Sequence, residues 1–392
     1  MELTQSTTAR ALVSYGPYNK GGWRLKDNLT LRPLRDNELL VEVVASGICQ
    51  TDLHFAGMDD GFGVHYPRVM GHEGSGYVRQ VGQKVTAAKV NDPILMSFSS
   101  CKSCECCRKG HPAHCHDFDP INFVAAPENL VFKDGEKGPT DTDYQPDIFG
   151  QFFGQSSFAN WSIVREESIV NVKGLVEKKE DLHLMAPLGC GIQTGAGAVI
   201  NAAQAHPEDR VAVIGLGGVG LSAVMGARIA GCTQVIAIAR NEVRLKLALE
   251  LGATHVVRID SAKDLRAVTE AVREVTAGLG ANITLDTTGV PALIAEAVRM
   301  TAFKGTILQL GTAPAISTLE IPIHEFMVSG KRFQGVVEGD VNSQEFVPTM
   351  VEWVKSGLLP VQKMVGFYQA SDFDDAIQDM HSGKTVKPVI LW

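Results

Sequence analysis

Basic charge is in short supply in this chain. Its 36 Lys and Arg face 44 Asp and Glu, giving a formal net charge of -8. Affinity for a phosphate backbone rests on clustered Lys and Arg, and no such stripe occurs, so nucleic acid is excluded as a partner. Uninterrupted apolar runs are lacking too. The one long candidate, 211–232, carries Arg228 and is punctuated by Gly215, Gly217, Gly218, Gly220, Gly226 and Gly231, so it reads as strand, turn and helix and not as a membrane span. The first residues show neither a basic head with an apolar core nor a small-residue cleavage site, and no export is expected. Aromatic residues make up only 7%, beside 45% hydrophobic and 20% charged ones. That is an ordinary globular composition, which excludes a disordered, collagen-like or disulfide-stapled chain.

What is present is length for two or three domains and a cluster of cysteines. Of eight cysteines, five fall between Cys101 and Cys115. Such crowding resembles metal ligation in a reducing compartment more than a disulfide framework, which predicts a cytoplasmic protein.

The rhythm of the chain changes near residue 190. Before it, short alternating runs such as Glu38-Leu39-Leu40-Val41-Glu42-Val43-Val44 read as half-buried strands broken by Gly, Pro and Asp. After Gly191, continuous apolar strands at 211–215, 235–239, 255–259, 283–286, 306–310 and 332–336 alternate with helical segments, which predicts an α/β fold with a doubly wound parallel six-stranded sheet. From 337 the pattern is mixed again: helical stretches at 346–355 and 372–380, then a closing strand at 387–391. The domains expected are therefore 1–190 (with a cysteine lobe about 97–117), 191–336, and a tail, 337–392, that returns to the first. The polar, Pro/Gly-rich segment 117–150 is long for a loop and reads as a functional or mobile surface insertion.

Val211-Ala212-Val213-Ile214-Gly215-Leu216-Gly217-Gly218-Val219-Gly220 sets a Gly-x-Gly-x-x-Gly turn between an apolar strand and a helix. Gly215 permits the tight turn, Gly217 lets the backbone approach a pyrophosphate, and Gly220 allows close helix–strand contact. At the end of the next strand, where a carboxylate usually meets the ribose of NAD, the chain has Ala239 followed by Arg240, with Arg244 at helical spacing. Loss of the carboxylate and gain of a guanidinium favour NADP(H) over NAD(H). The alternative is a solvated Arg240, with Glu242 or backbone groups on the ribose and NAD(H) as cofactor.

Two metal sites are expected, hence two zinc ions per chain. Cys101, Cys104, Cys107 and Cys115 have a spacing that lets one loop wrap four thiolates around a tetrahedral ion, which makes that site structural; Cys106 is a spare thiol. An iron–sulfur cluster also accepts four cysteines, and zinc is preferred here. The second set is dispersed: Cys49, His72 and Cys190. Two thiolates and one imidazole leave zinc an open position, as catalysis requires. Each residue alone also fits a buried core position, and spacing does not show that they meet.

Taken together, Cys49-x-Thr51-Asp52, Gly71-His72-Glu73, the four-cysteine lobe, Gly189-Cys190-Gly191 with Thr194-Gly195, and the Gly215 turn resemble the zinc-dependent alcohol dehydrogenases of the medium-chain dehydrogenase/reductase superfamily. The run Phe152-Phe153-Gly154-Gln155-Ser156-Ser157-Phe158-Ala159 is most similar to the aryl-alcohol (benzyl-alcohol) dehydrogenase branch. The resemblance implies a GroES-like, mainly-β catalytic domain built from both ends of the chain, a Rossmann domain between them, and an active-site cleft at their junction. It implies that Cys49, His72 and Cys190 bind catalytic zinc, with Glu73 close by and Asp52 orienting His72. Thr51 would pass the alcohol proton to His54 and on to solvent. Thr194 and Gly311 would neighbour the nicotinamide, and Lys387 would replace an arginine that binds the pyrophosphate. The implied assembly is a homodimer or homotetramer.

The expected function is hydride transfer between NADP(H) and a medium-sized aromatic or allylic alcohol/aldehyde pair, in the reducing direction. The small molecule is the partner, with neither nucleic acid nor membrane, and Phe62, Phe98 and Phe118 are candidate pocket walls. The alternatives are NAD-dependent alcohol oxidation, a thiol-adduct formaldehyde dehydrogenase, and a non-catalytic zinc and nucleotide binder.

Overall fold

Apolar side chains alternate through Glu38–Gly47, and in a computed structural model this segment is a ten-residue strand at the heart of a seven-stranded sheet. The structure describes residues 8–18, 20–61, 63–135, 147–260 and 264–392. The strand pairs antiparallel with Glu73–Val81, Trp161–Arg165 and the closing strand Lys387–Leu391. Its register sets the site: Gly47 lies opposite Glu73 on one side and opposite Val389 on the other, so residues distant in sequence reach one end of the sheet. Gly47 is required there, because a Cβ would collide with the Glu73 side chain.

Five shorter strands, Thr8–Ser14, Trp23–Leu31, Arg68–Val69, Leu130–Lys133 and Asp147–Phe149, close into a barrel beside this sheet. The segment expected as a surface insertion at 117–150 is thus corrected where it is described: a short helix, Phe118–Asn122, and two barrel strands occupy it, held by the burial of Phe118, Val131, Phe132 and Ile148. Residues 136–146 of that stretch lie outside the described residues.

The second unit is the Rossmann sheet. Strands β1 (Arg210–Ile214), β2 (Gln234–Ala239), β3 (His255–Arg258), β4 (Ala281–Asp286), β5 (Thr301–Gln309) and β6 (Arg332–Gly335) run parallel in the order 3-2-1-4-5-6. Both faces of β1 are buried, as its unbroken apolar run requires. β5 starts earlier than the apolar run suggests, because Lys304, with a left-handed φ of 61°, and Gly305 mask its first residues.

Two units account for the chain: Met1–Cys190 with Asn342–Glu352 and Val361–Trp392, and Gly191–Val341 with Trp353–Pro360. The expected boundary at 336/337 therefore falls later, at 341/342, since Glu338 is tied by its carboxylate to Gln193 in the Rossmann unit. Among the described residues, no helix is long and apolar enough to cross a membrane.

Candidate active site

Cys49 ends the turn after the central strand and sits at the N-cap of the helix Gln50–Ala56. Asp52, in the first turn of that helix, is fully buried, and its carboxylate accepts three N–H groups. Oδ2 takes the Cys49 amide at 2.9 Å; Oδ1 takes the Gly71 amide at 3.1 Å and His72 Nδ1 at 2.9 Å. One side chain thus caps the helix and fixes the imidazole. With Nδ1 committed to Asp52, Nε2 is the ring nitrogen left for another partner. His72 Nε2 is buried and makes no hydrogen bond among the described residues. An orphaned buried nitrogen of this kind is costly unless something else meets it.

What lies beside it is a donor set. One ligand atom each from Cys49, His72, Glu73 and Cys190 falls within 4.8 Å of the others. Cys190 arrives on the turn Ala186–Gly189, which presses so closely on Met96 that only glycine fits at 189, while Ser97 Oγ donates to the Gly189 carbonyl at 2.6 Å. Cys49 is held well below the ordinary thiol range, first by the Cys190 thiol donating to it and then, against burial, by the charges of Lys387 and His72. Burial opposes a charged His72, yet Asp52 and Cys49 beside it raise its pKa well above the usual value. Burial pushes the Glu73 carboxyl up to about 7 even with an ammonium in contact. Two thiols, that of Cys49 lowered, and an imidazole, all buried together, suit a divalent cation of intermediate softness, and the set fits zinc.

That ammonium belongs to Lys387. The residue expected at a pyrophosphate is 4% exposed at the start of the closing strand, donating to Glu73 Oε1 at 2.8 Å and to the Ile48 carbonyl at 3.2 Å. The β-register that sets Gly47 against Glu73 and Val389 puts it there.

Thr51 and His54 share the helix that starts at Cys49. Thr51 Oγ1 is 3.7 Å from the Cys49 sulfur and half-buried, whereas His54 is exposed. An aromatic cluster covers the other side of His72: Phe153 stacks on the imidazole at 4.3 Å and Phe152 meets it edge-on at 5.6 Å, with Phe55, Phe118 and Phe123 packed around them. Of the predicted pocket walls, Phe98 and Phe118 are buried in this cluster and its margin, while Phe62 lies outside the described residues. Gln155, whose role no ligand spacing signals, braces the site. Its amide donates to the carbonyls of His72 and Ser97 at 2.9 and 3.0 Å and its oxygen takes the Gly74 amide, clamping the backbone that carries His72 and Glu73. Its sequence signal is its place in the Phe152–Ala159 run, which resembles the aryl-alcohol dehydrogenase branch.

The cysteine lobe forms a separate cluster. The sulfurs of Cys101 and Cys107 are 3.9 Å apart, Cys104 and Cys107 3.5 Å, and Cys104 and Cys115 4.0 Å. A disulfide needs about 2.05 Å, whereas thiolates at ~2.3 Å around a tetrahedral zinc lie about 3.8 Å apart. The amides of Ser103 and Cys104 donate to Cys101 and, against burial, bring it down to about 6; burial and the Cys104 sulfur push Cys107 up to about 12. The four thiols cannot all ionise without a cation, so the lobe also fits zinc. Cys106 is outside the set.

In the Rossmann unit, Gly215 has φ +90° and a Cβ there would meet Thr287 Oγ1 at 2.5 Å; Gly220 would collide with the Gly215 carbonyl. Gly217 differs. A side chain there would meet nothing within 4 Å, so packing does not require glycine, and the residue suits a ligand approaching the N-terminus of the helix Gly218–Ile229. At the end of β2, Ala239 is followed by an exposed Arg240, and Asn241 Oδ1 caps the next helix through Val243 and Arg244 amides. Glu242 lies near Lys246 and Arg258, at 4.0 and 3.9 Å. Arg244 is partly buried, which lowers its pKa. Gly311 is packed against Thr287 to Gly289, and Thr194 Oγ1 donates to Glu338 Oε2 at 3.3 Å.

Comparison with known proteins places the chain. Residues 35–174 match the model of the alcohol dehydrogenase GroES-like domain, and residues 218–356 that of the zinc-binding dehydrogenase. Geraniol dehydrogenase of Castellaniella defragrans is 36% identical over 371 residues, 93% of this chain and 94% of that one. The chain belongs to the zinc-binding alcohol dehydrogenase family. A crystal structure of benzyl alcohol dehydrogenase from Acinetobacter calcoaceticus superposes on this dehydrogenase with a TM-score of 0.86 at 34% identity, covering 98% of the chain and 99% of that structure. An S-(hydroxymethyl)glutathione dehydrogenase of Escherichia coli is 31% identical over 389 residues, 98% of this chain and all of that one. The dehydrogenase is therefore a zinc-dependent, nicotinamide-linked oxidoreductase acting on a small-molecule alcohol or its carbonyl partner. Its GroES-like and Rossmann units are those the resemblance implied.

Proposed function

We propose that this dehydrogenase interconverts a medium-sized aromatic or allylic alcohol and its aldehyde with NADP(H), chiefly in the reducing direction, and that it carries two zinc ions per chain. Cys49, His72 and Cys190 would hold one, with Glu73 alongside; Cys101, Cys104, Cys107 and Cys115 would hold the other. The observation that carries the first assignment is His72 Nε2: buried, unpaired, and fixed beside two thiols by an Nδ1–Asp52 bond. Bound there, zinc supplies a Lewis acid for the substrate oxygen, and the nicotinamide cofactor accepts or supplies the hydride.

The protein's own part is proton movement and shape. In the oxidising direction Thr51 Oγ1 takes the alcohol proton, and His54, three residues on at the helix surface, carries it to solvent; reduction reverses the path. The buried aromatic surroundings of His72, with Phe153 stacked on the imidazole and Phe152 edge-on to it, support an apolar substrate. Ala239 and exposed Arg240 support a 2′-phosphate, and an NADPH pool kept reduced favours aldehyde reduction.

A homodimer or homotetramer in the cytoplasm completes the proposal. Supporting assembly, β6 is, among the described residues, an unpaired sheet edge, near strongly exposed Phe303, Ile323 and Met327.

The test is initial rates of benzaldehyde and geranial reduction, without glutathione, for NADPH and NADH. Turnover with an NADPH preference that Ala239→Asp with Arg240→Ala abolishes is expected. Equal rates with both cofactors contradict the 2′-phosphate assignment, and turnover only of formaldehyde with glutathione contradicts the substrate class.

A further inference from the structure

Three consecutive residues after the sheet edge, Glu338, Gly339 and Asp340, all have left-handed backbones, with φ of 48°, 70° and 52°. Only the middle one is glycine. Side-chain-bearing residues rarely adopt this conformation, and a run of it persists only where surrounding contacts enforce it. The enforcing contacts lie on the helix Gly191–Gly197 and its continuation. A Cβ on Gly339 would meet the Gln193 carbonyl oxygen at 2.5 Å and the Gly197 Cα at 2.9 Å, so the turn is pressed onto the helix backbone. Asn201 Nδ2 donates to the Asp340 carbonyl. The turn sets the Glu338 carboxylate, 6% exposed, against the helix, where Oε2 accepts Gln193 Nε2 at 2.9 Å and Thr194 Oγ1 at 3.3 Å.

A carboxylate is not needed to hold two packed segments together, since apolar contact does so without a desolvation cost. What a carboxylate does is fix the polarity of its partners. It only accepts, so the Thr194 proton is committed to Glu338, and the hydroxyl turns its lone pairs and the side chain its methyl to whatever lies beyond. We propose that Glu338 is a positioning residue for the dinucleotide: the strained Glu338–Gly339–Asp340 turn exists to lock the Thr194 side chain in the single rotamer and polarity that receives the nicotinamide end. The proposal rests on the reading that Thr194 neighbours the nicotinamide.

A double-variant cycle separates positioning from packing. Cofactor dissociation constants are measured by fluorescence titration, without substrate, for wild type, Glu338→Gln, Glu338→Ala, Thr194→Val, Thr194→Ser and the Glu338→Gln/Thr194→Val pair, with thermal midpoints for each. Glu338→Gln and Thr194→Val should each weaken binding about fivefold to tenfold. The double variant should be no weaker than Thr194→Val alone, and Thr194→Ser, which keeps the hydroxyl, should stay near wild type. If the two effects multiply instead, Glu338 acts on the helix as packing and the proposal is overturned. If Thr194→Val binds as wild type does, the nicotinamide reading falls and the proposal with it. Should Glu338→Ala prove unfolded, the isosteric Gln variant still decides the cycle.

Discussion

At the scale of single residues, the site depends on side chains that hold other side chains. Asp52 is the clearest: one carboxylate satisfies two amides and sets the imidazole tautomer. Asp52→Asn should lower zinc affinity at the Cys49–His72–Cys190 site by about 10–100-fold, read by chelator competition, while the four-cysteine site keeps its metal. Glu38 does comparable work for stability. Burial would raise its carboxyl, but the bidentate Arg32 fork, the Arg35 amide and Gln151 outweigh burial and lower it. A carboxyl lowered on folding stabilises above the ordinary carboxylate range and loses that contribution as the pH falls through its folded value. Glu38→Gln should therefore cost about 2–3 kcal/mol at neutral pH by denaturant titration, and the gap to wild type should close as the pH drops below 4–5 or so. Cys49, His72, Cys190 and Asp52 were named in the sequence through the family resemblance, since their spacing does not show that they meet; the structure gathers the first three with Glu73 into one donor set and hydrogen-bonds Asp52 to His72. The Lys387–Glu73 ion pair and the Gln155 clamp were not legible, because they arise from strand register and from backbone contacts, neither of which leaves a spacing signature.

At the scale of elements, the nucleotide turn contains two kinds of glycine, and the structure tells them apart. Gly220 is demanded by the Gly215 carbonyl, whereas no protein atom crowds Gly217. Gly220→Ala should cost about 1–3 kcal/mol of stability through overpacking. Gly217→Ala should fold within about 1 kcal/mol of wild type yet bind the dinucleotide roughly tenfold more weakly. Parallel thermal melts and cofactor titrations check the pair; similar stability losses for both would contradict the distinction. The Rossmann strands were legible because buried parallel strands are continuous apolar runs. The segment at 117–150 was not, since its barrel strands are short and flanked by Pro and Gly, and composition alone made them look like loop.

At the scale of the whole molecule, the exposed edge of the Rossmann sheet bears on assembly. An unpaired strand with Phe303, Ile323 and Met327 beside it is a surface that proteins usually cover. Light scattering should give at least twice the 42.2 kDa chain mass, and Phe303→Glu with Ile323→Asp should shift it toward the single chain. The most direct test of the chemistry is metal quantification on purified wild-type protein, His72→Ala and Cys104→Ser. Two zinc ions per chain are expected in the wild type. His72→Ala should retain one and lose alcohol oxidation, and Cys104→Ser should lose the other. A single zinc per chain in the wild type, or full turnover by a His72→Ala protein, would contradict the assignment of Cys49, His72 and Cys190 as the catalytic metal site.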